Sequence, residues 1–272
     1  MPSRKPDWWW DYSWNPVAGC KPVSPGCKNC FAAQIAGTHS WPFAGSAKVH
    51  DDVTDANGTR RIFNGTLTAA PPAHLTWISP LTWGGVENPA LGPEKPSLIF
   101  VVGMGDLFVE GRPNEDIDRV VATIAQSDHI GLLLTKYTGR MAAYFSKQSP
   151  STMNRWLPKL LLGFSAERQL EFDRRWEDMR ALAKAGWFIF VSIAPLIEPV
   201  RLPADFLALG QRTWVIVAGE QGPHARCRDM DPDWARAVRD QCKEAGIPFF
   251  MKQMAKGALI PPDLQIRQFP SV

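Results

Sequence analysis

The sequence has no apolar run long enough to cross a membrane and no excess of charge of one sign. No segment approaches the roughly 18 consecutive apolar residues of a membrane-spanning helix. The formal net charge is only +3 in 272 residues, and no polybasic tail is present. The N-terminus, MPSRKPDWWWDYSW, is polar and then aromatic, without the apolar segment of a signal peptide. We therefore expect a cytoplasmic protein without a membrane partner.

Cysteine is also scarce, with five residues, yet three of them fall within eleven positions. Cys20, Cys27 and Cys30 have the spacing C-x6-C-x2-C, in a loop that also contains Pro25 and Gly26. Disulfides are rare in a reducing compartment, so clustered cysteines there are more often metal ligands or catalytic groups. The polar character of the loop argues against three buried, inert thiols.

A glycine-rich dinucleotide-binding turn near the first strand is missing, which disfavours the common doubly wound sheet. What is present is an alternation of short apolar runs and segments with helical periodicity. The predicted strands are residues 98–102, 130–135, 159–164, 187–192, 213–218 and 247–251. Residues 13–19 and part of 66–78 could supply two more. Uniformly apolar runs are typical of parallel strands buried on both faces. The pattern predicts an α/β fold, a complete or partial (β/α) barrel of six to eight βα units, with an open doubly wound sheet as the alternative.

The domain organisation follows from what interrupts this alternation. Residues 37–96 are rich in Gly, Pro, Thr and Trp and have few long apolar runs. We expect them to form an irregular insertion or lid after the first strand. We expect residues 257–272 to form a tail that packs on the barrel. No repeat or low-complexity run divides the chain, so the prediction is a single domain over residues 1–272.

Polar residues follow the predicted strands closely, at the end where barrel enzymes carry their chemistry. The charged ones are Asp106, Lys136, Glu167, Glu220 and Lys252. A lysine there can bind a carboxylate or phosphate, and an acid can bind a ribose or an ammonium group or transfer a proton. Glu220 and Lys252 are the candidate catalytic residues, and with Gln221 and Gln253 they are the candidate substrate-binding residues.

The cysteine cluster leaves several interpretations open. A structural zinc site normally needs four ligands, and His39 is a candidate fourth in a non-catalytic, zinc-stabilised nucleic-acid-binding protein. An iron–sulfur cluster with three cysteines keeps one iron open for another ligand. A metal-free hydrolase that uses Glu220 and Glu167 would leave the cluster unexplained. Cys242 is expected in the core, and Cys227 is an incidental loop residue, an auxiliary ligand or a thiol that takes part in the chemistry.

Several ordered motifs carry a family resemblance that spans most of the chain. They are WNPVAGCKPVSPGCKNCFA, MGDLF, LTK followed by RM, GFSAE, WVIVAGEQGP, PFFMKQ and RQFP. Together they resemble a phage-associated, largely uncharacterised family of radical S-adenosylmethionine-like (radical-SAM-like) proteins. The chain departs from that family at Tyr137-Thr138, where an Arg-Pro pair is usual, and at Ala194, where a glutamate is usual. Both departures follow predicted strands, which suggests altered substrate chemistry.

The resemblance implies a cofactor and a reaction type. Cys20, Cys27 and Cys30 would ligate a [4Fe-4S] cluster whose open iron binds S-adenosylmethionine. Reductive cleavage would then give a 5′-deoxyadenosyl radical, with electrons from a flavodoxin- or ferredoxin-type donor. The residues implied in cofactor binding are Phe31, Gly103, Met104, Asp106, Lys136, Ser165 and Glu167. The expected activity is an isomerisation or related rearrangement of a modified thymidine in DNA, in the host cytoplasm for a phage-encoded protein. The aromatic N-terminal region suits base stacking.

Overall fold

The fold is built on a seven-stranded parallel sheet. The computed structural model describes residues 8–36, 47–56, 58–84, 96–222 and 226–272. Its strands are β1 (Tyr12–Trp14), β2 (Val17–Ala18), β3 (His50–Asp55), β4 (Gly58–Phe63), β5 (Thr68–Ala69), β6 (Leu98–Val101), β7 (Ile130–Thr135), β8 (Leu160–Ala166), β9 (Ile189–Ile193), β10 (Thr213–Ala218) and β11 (Phe249–Gln253). The main sheet has the order β1-β6-β7-β8-β9-β10-β11, with every neighbouring pair parallel.

Helices connect the strands of the main sheet. They are α1 (Phe31–Ala36), α2 (Asn114–Gln126), α3 (Thr138–Phe145), α4 (Pro150–Trp156), α5 (Gln169–Lys184), α6 (Ala204–Leu207) and α7 (Pro232–Glu244). The last helix shows why these boundaries occur. The Asp231 carboxylate accepts a hydrogen bond from the Asp233 amide at the start of α7, and Pro232 occupies its first turn. Gly246 follows the helix with φ +67°, a conformation that glycine adopts without strain.

The predicted α/β fold is confirmed as a partial (β/α) barrel. All residues of β6, β8, β9 and β10 are buried, as expected for strands covered on both faces. The segment at residues 13–19 supplies β1 to the main sheet. The segment at 66–78 does not join it: only β5 forms there, and it pairs with β2 in a separate ladder. Pro71 and Pro72 follow β5 after a single residue, and proline has no amide N–H to continue a ladder.

Aromatic side chains fill the concave face of the sheet. Trp9 lies with its ring centroid 5.1 Å from that of Phe100 on β6 and 5.9 Å from that of Trp214 on β10. Three strands separate β6 from β10, so one side chain reaches both only because the sheet is curved. Gly163 on β8 assists this packing, since a Cβ there would overlap the Phe190 ring. Trp9 and Trp10 are buried, whereas Trp8 is 37% exposed.

Residues 37–96, which interrupt the alternation of strands and helices, are described only in part. The described residues of this segment form the antiparallel hairpin β3–β4 and a 3-10 helix at Leu75–Leu81. His39, the candidate fourth zinc ligand, lies outside the described residues.

The end of the chain runs antiparallel along β11. The Met251 amide donates to the Ile266 carbonyl at 2.8 Å, and the Gln268 amide donates to the Phe249 carbonyl at 3.0 Å. In the described part of the chain, no helix is both long and apolar enough to span a membrane.

Candidate functional site

The candidate site lies where the strands of the main sheet end, beneath the cysteine loop that joins β2 to α1. Two adjoining cavities occupy it, with volumes of about 110 and 130 Å³. The first, the cysteine cavity, is lined by all three clustered cysteines together with Gly103, Gly105, Asp106 and Thr135. The second, the aromatic cavity, is lined by Trp9, Trp10, Ser192, Glu220, Gln221, Lys252 and Gln253. Cys30, Phe31, Lys136 and Ser165 line both cavities.

The three clustered thiols fit the requirements of an iron–sulfur cluster. Burial raises the pKa of Cys20 well above its ordinary value, and the nearby Asp106, Cys30 and Cys27 raise it further. Burial also raises the pKa of Cys30, while amide hydrogen bonds from the first turn of α1 act against that rise. Thiolates this close together need a compensating positive charge. Iron provides that charge, and thiolate is its usual protein ligand in such clusters.

The three thiols line one cavity rather than a preformed single-ion site. A tetrahedral zinc site brings its sulfur ligands to about 2.3 Å from one ion. Within the described ranges, no three His, Cys, Asp or Glu side chains converge in that way. Instead the three cysteines surround a shared cavity. His39, the candidate fourth ligand of the zinc alternative, lies outside the described residues.

Glu167 fastens the first part of the cysteine loop to β8. Its carboxylate accepts a hydrogen bond from the Ser24 hydroxyl and forms an ion pair with Arg175 at 2.7 Å. The Lys136 ammonium lies 3.7 Å from the same carboxylate. Burial alone would raise the pKa of Glu167, but Lys136 and Arg175 outweigh it and hold that pKa below its ordinary value. Glu167 is therefore a buried carboxylate whose negative charge is already compensated by Lys136 and Arg175.

Glu220 fastens the second part of the cysteine loop to the end of β10. Its carboxylate accepts a hydrogen bond from the Asn29 side chain at 3.1 Å and from the Arg228 amide at 2.8 Å. The Arg228 guanidinium pairs with both carboxylate oxygens. Burial opposes the charge on Glu220, but these bonds keep its pKa below the ordinary value. Asn29 also donates to the Arg226 carbonyl at 2.8 Å, which joins two loops at this point.

These contacts argue against acid–base catalysis by the pair of glutamates. A general acid needs a proton near neutral pH, yet the pKa of each carboxyl group is lowered rather than raised. Both carboxylates are engaged by arginine side chains that neutralise them. The metal-free hydrolase interpretation requires Glu220 and Glu167 as acid and base, so these contacts argue against it.

A close backbone contact makes Gly26 sensitive to substitution. A Cβ at Gly26 would overlap the carboxylate of Glu167, which is fully buried. We expect Gly26→Ala to displace the loop, to lower the free energy of unfolding by about 1–3 kcal/mol, and to reduce iron incorporation. Chemical denaturation and iron analysis measure the two effects. Gly84→Ala is the matched control, because nothing lies within 4 Å of a Cβ there. Equal free energies of unfolding and equal iron contents in the two variants would contradict the prediction.

The segment after β6 is bonded to the start of the cysteine loop. The Met104 amide donates to the Asn15 side chain at 3.0 Å, and the Gly19 amide donates to the Met104 carbonyl at 3.3 Å. A Cβ on Gly105 would overlap the backbone of Gly19. Gly103 and Gly105 line the cysteine cavity, whereas Met104 is held here through its backbone.

Asp106 is buried and has three hydrogen-bond donors. It accepts from the Thr135 hydroxyl at 2.6 Å and from the amides of Lys136 and Phe108 at 2.9 Å each. Burial raises its pKa, although these hydrogen bonds act in the opposite direction. Asp106 thus fixes the end of β7, including Lys136, beside the cysteines. Tyr137, at a departure from the family pattern, donates its hydroxyl to the Lys21 carbonyl at 2.7 Å.

Lys252 stands apart from the other charged residues of the site. Its ammonium lies 5.8 Å from the centroid of the Trp10 ring and 5.7 Å from that of Phe31. No carboxylate of the described residues pairs with it, and burial alone lowers its pKa to about 8. Such contacts with ring faces stabilise a cation only modestly. Lys252 is therefore a cation available to an anionic ligand.

The lowered pKa of Lys252 predicts a stability cost that depends on pH. Below pH 8 the folded protein must keep the ammonium charged in a desolvated place, and this cost disappears as pH rises from about 8 towards 10.5. We expect Lys252→Met to raise the free energy of unfolding at pH 7 by up to about 3 kcal/mol. Denaturation at a series of pH values should show that the difference in free energy of unfolding between Lys252→Met and the unaltered protein decreases above pH 8. A difference independent of pH would contradict the assignment.

The remaining predicted residues have varied surroundings. Ser165 lines both cavities, and its carbonyl accepts a hydrogen bond from Arg175 at 2.8 Å. Gln253 donates to the Gly219 carbonyl at 3.2 Å, and Gln221 is exposed at the cavity rim. Cys227 is buried in the loop after β10 but lines neither cavity. Cys242 lies in the core on α7.

Sequence reasoning missed the residues that hold the cysteine loop in place. Ser24, Asn29, Arg175 and Arg228 were not among the predicted site residues. One signal was available for Arg175, which falls on the apolar face of α5 between Phe172 and Met179. An arginine on a buried helix face needs an anionic partner. No comparable local pattern marks the other three.

The family of the chain follows from a comparison with family models. Residues 7–261 match the family described as "Protein of unknown function (DUF5131)", and the chain belongs to that family. No curated protein matches the chain.

A solved structure shares the fold. It is a doubly substituted mutant of spore photoproduct lyase with bound AdoMet and dinucleoside spore photoproduct. The TM-score is 0.53 at 13% sequence identity, and the match covers 92% of this chain and 78% of the lyase chain. At that identity the likeness establishes the partial barrel fold.

Proposed function

We propose that the protein is a radical SAM enzyme in which Cys20, Cys27 and Cys30 hold a [4Fe-4S] cluster. The observation that carries the proposal is the placement of three thiols around one cavity at the strand ends of a partial barrel. Three cysteine ligands leave one iron open for S-adenosylmethionine. When bound, the cluster and S-adenosylmethionine would together supply a 5′-deoxyadenosyl radical.

The residues around the cysteine cavity have assignable roles in this proposal. The glycines after β6 let a cofactor approach the backbone closely, and Phe31 offers a ring face for adenine. Lys136 sits between the thiols and Glu167, where it offsets negative charge. Glu167 and Glu220 act on the cysteine loop by positioning it, rather than on the reacting atoms.

The proposed substrate is a nucleic-acid base, specifically a modified thymidine that undergoes isomerisation or a related rearrangement. The aromatic cavity supports this choice, because Trp10 and Phe31 provide flat apolar surfaces next to the cysteines. The structural neighbour, spore photoproduct lyase, carries a dinucleoside photoproduct together with AdoMet. A base in duplex DNA would have to be extruded to enter, at a cost of a few kcal/mol. Electrons would come from a flavodoxin- or ferredoxin-type protein.

Anaerobic reconstitution with iron and sulfide tests the proposal. We expect a brown protein that converts S-adenosylmethionine to 5′-deoxyadenosine when dithionite is supplied. Incubation with hypermodified phage DNA, followed by nucleoside mass spectrometry, tests the substrate assignment separately. Absence of 5′-deoxyadenosine from a fully loaded protein would overturn the radical SAM proposal. Its formation without any altered nucleoside would overturn only the choice of substrate.

A further inference from the structure

A polar groove leads away from the aromatic cavity along the outer edge of the sheet. It lies between the end of β11, residues 254–260 and the chain terminus that follows, and has a volume of about 660 Å³. We call it the β11 groove. Its polar side chains are Lys252, Arg267, Gln221, Gln253 and Gln265, and no acidic residue is among those that line it. Lys252, Gln221 and Gln253 also line the aromatic cavity, so the two spaces adjoin.

The charges around the site leave Lys252 as an uncompensated cation. The three nearby carboxylates are occupied: Glu167 by Arg175, Glu220 by Arg228, and Asp106 by neighbouring donors. The second lysine of the site, Lys136, is paired with Glu167. Lys252, in contrast, has only ring faces near its ammonium within the described ranges. A groove with cationic and amide side chains and no acid suits a chain of monoanionic groups.

We propose that the β11 groove binds the phosphodiester backbone of single-stranded nucleic acid, with Lys252 pairing with the phosphate next to the nucleotide in the aromatic cavity. This inference rests on the proposed function, because it presumes a nucleotide in that cavity. A single strand fits better than a duplex, since stacking on ring faces requires an unpaired base. Leu259, which is 92% exposed on the groove wall, adds an apolar contact for a neighbouring base.

The test uses a fluorescein-labelled oligothymidylate of about eight nucleotides, within the usual site size of single-strand binders. The full-length, reconstituted protein is titrated by fluorescence anisotropy at several salt concentrations. We expect Lys252→Gln to weaken binding at least tenfold, the loss expected for one hydrogen bond to a charged group. The slope of log affinity against log salt should also fall by about 0.7, the contribution of one phosphate contact on a single strand. Lys252→Arg should restore both.

Lys184→Gln is the matched control, because it removes the same charge from an exposed position at the end of α5. We expect Lys184→Gln to show the same slope of log affinity against log salt as the unaltered protein. An oligonucleotide in which the central linkage is a neutral methylphosphonate should bind the unaltered protein more weakly and should no longer distinguish Lys252→Gln from it. Thermal unfolding of each variant checks that the fold is intact.

Two outcomes would overturn the inference. If Lys252→Gln and Lys184→Gln show the same salt slope, Lys252 does not contact a phosphate. Calorimetry measures S-adenosylmethionine binding by the same variant. If Lys252→Gln weakens that binding and leaves oligonucleotide binding intact, Lys252 binds the carboxylate of the cofactor instead of a phosphate. Formation of 5′-deoxyadenosine without nucleic acid does not involve the groove, so the proposed function is judged separately.

Discussion

Protein with Cys27→Ala is expected to take up no stable [4Fe-4S] cluster and to form no 5′-deoxyadenosine. With two thiols left around the cysteine cavity, too few thiolate ligands remain to hold the cluster, and no further described cysteine lines the cavity. Iron and sulfide analysis after anaerobic reconstitution measures the loss directly. The broad visible absorbance of the cluster should disappear with it, and Cys20→Ala and Cys30→Ala should behave in the same way.

The control for this result is Cys242→Ala. Cys242 is a free cysteine like the other three, but it is fully buried in the core on α7. Its replacement should leave the iron content unchanged, so a general loss of thiols cannot explain the effect at Cys27. Full iron loading of Cys27→Ala, or zinc in place of iron in the unaltered protein, would contradict the assignment of the three cysteines.

Arg175→Met is expected to destabilise the protein by about 2–3 kcal/mol, because the buried Glu167 carboxylate loses a charged hydrogen-bond donor and keeps only Lys136 and the Ser24 hydroxyl. The two side chains are 7% and 0% exposed, and their charged atoms are 2.7 Å apart. Arg175 also donates to the Ser165 carbonyl, so a second buried acceptor loses its partner. Chemical denaturation at neutral pH measures the change in the free energy of unfolding.

Two further variants separate this effect from a general loss of positive charge on α5. Arg174→Met removes the neighbouring arginine, which is exposed, and should change stability little. Adding Glu167→Gln to Arg175→Met removes the buried carboxylate that has lost the arginine and should recover part of the loss. Because the pKa of Glu167 is held low, its stabilising contribution is present above the unfolded pKa and is lost as pH falls. The gap between Arg175→Met and the unaltered protein should therefore narrow in acid.

The parts of the fold that the sequence predicts are those with a local signal. The strands at β7 and β10 are uniformly apolar between polar ends, and their bounds match the prediction. The start of α7 is marked by Asp231 and Pro232, whose capping role requires no distant contact. Among the proposed site residues, Cys20, Cys27 and Cys30 stand out because their spacing is visible without knowing the fold. The structure places all three around one cavity.

The parts that the sequence could not predict depend on contacts between distant residues. Glu167 and Glu220 follow strands in the way expected of catalytic acids, but their partners Ser24 and Asn29 lie more than a hundred residues earlier. Only the folded chain brings these pairs together, so composition and periodicity cannot distinguish a free carboxylate from one already bound. Lys252 is the opposite case: that no acid of the described residues pairs with it becomes visible only when its surroundings are known.

The packing of Trp9 and Trp10 has a consequence for the order of events at the site. The two indoles fill the inside of the curved sheet over the first halves of its strands, so in the described structure the cavities are approached from the strand ends. The cysteine loop lies across that same approach. In the proposed function, iron, cofactor and nucleotide would all enter from the strand ends, so the ligand that enters last would hinder the departure of those already bound. The cluster would then have to be assembled before the larger ligands bind, and a bound nucleotide would shield it from solvent.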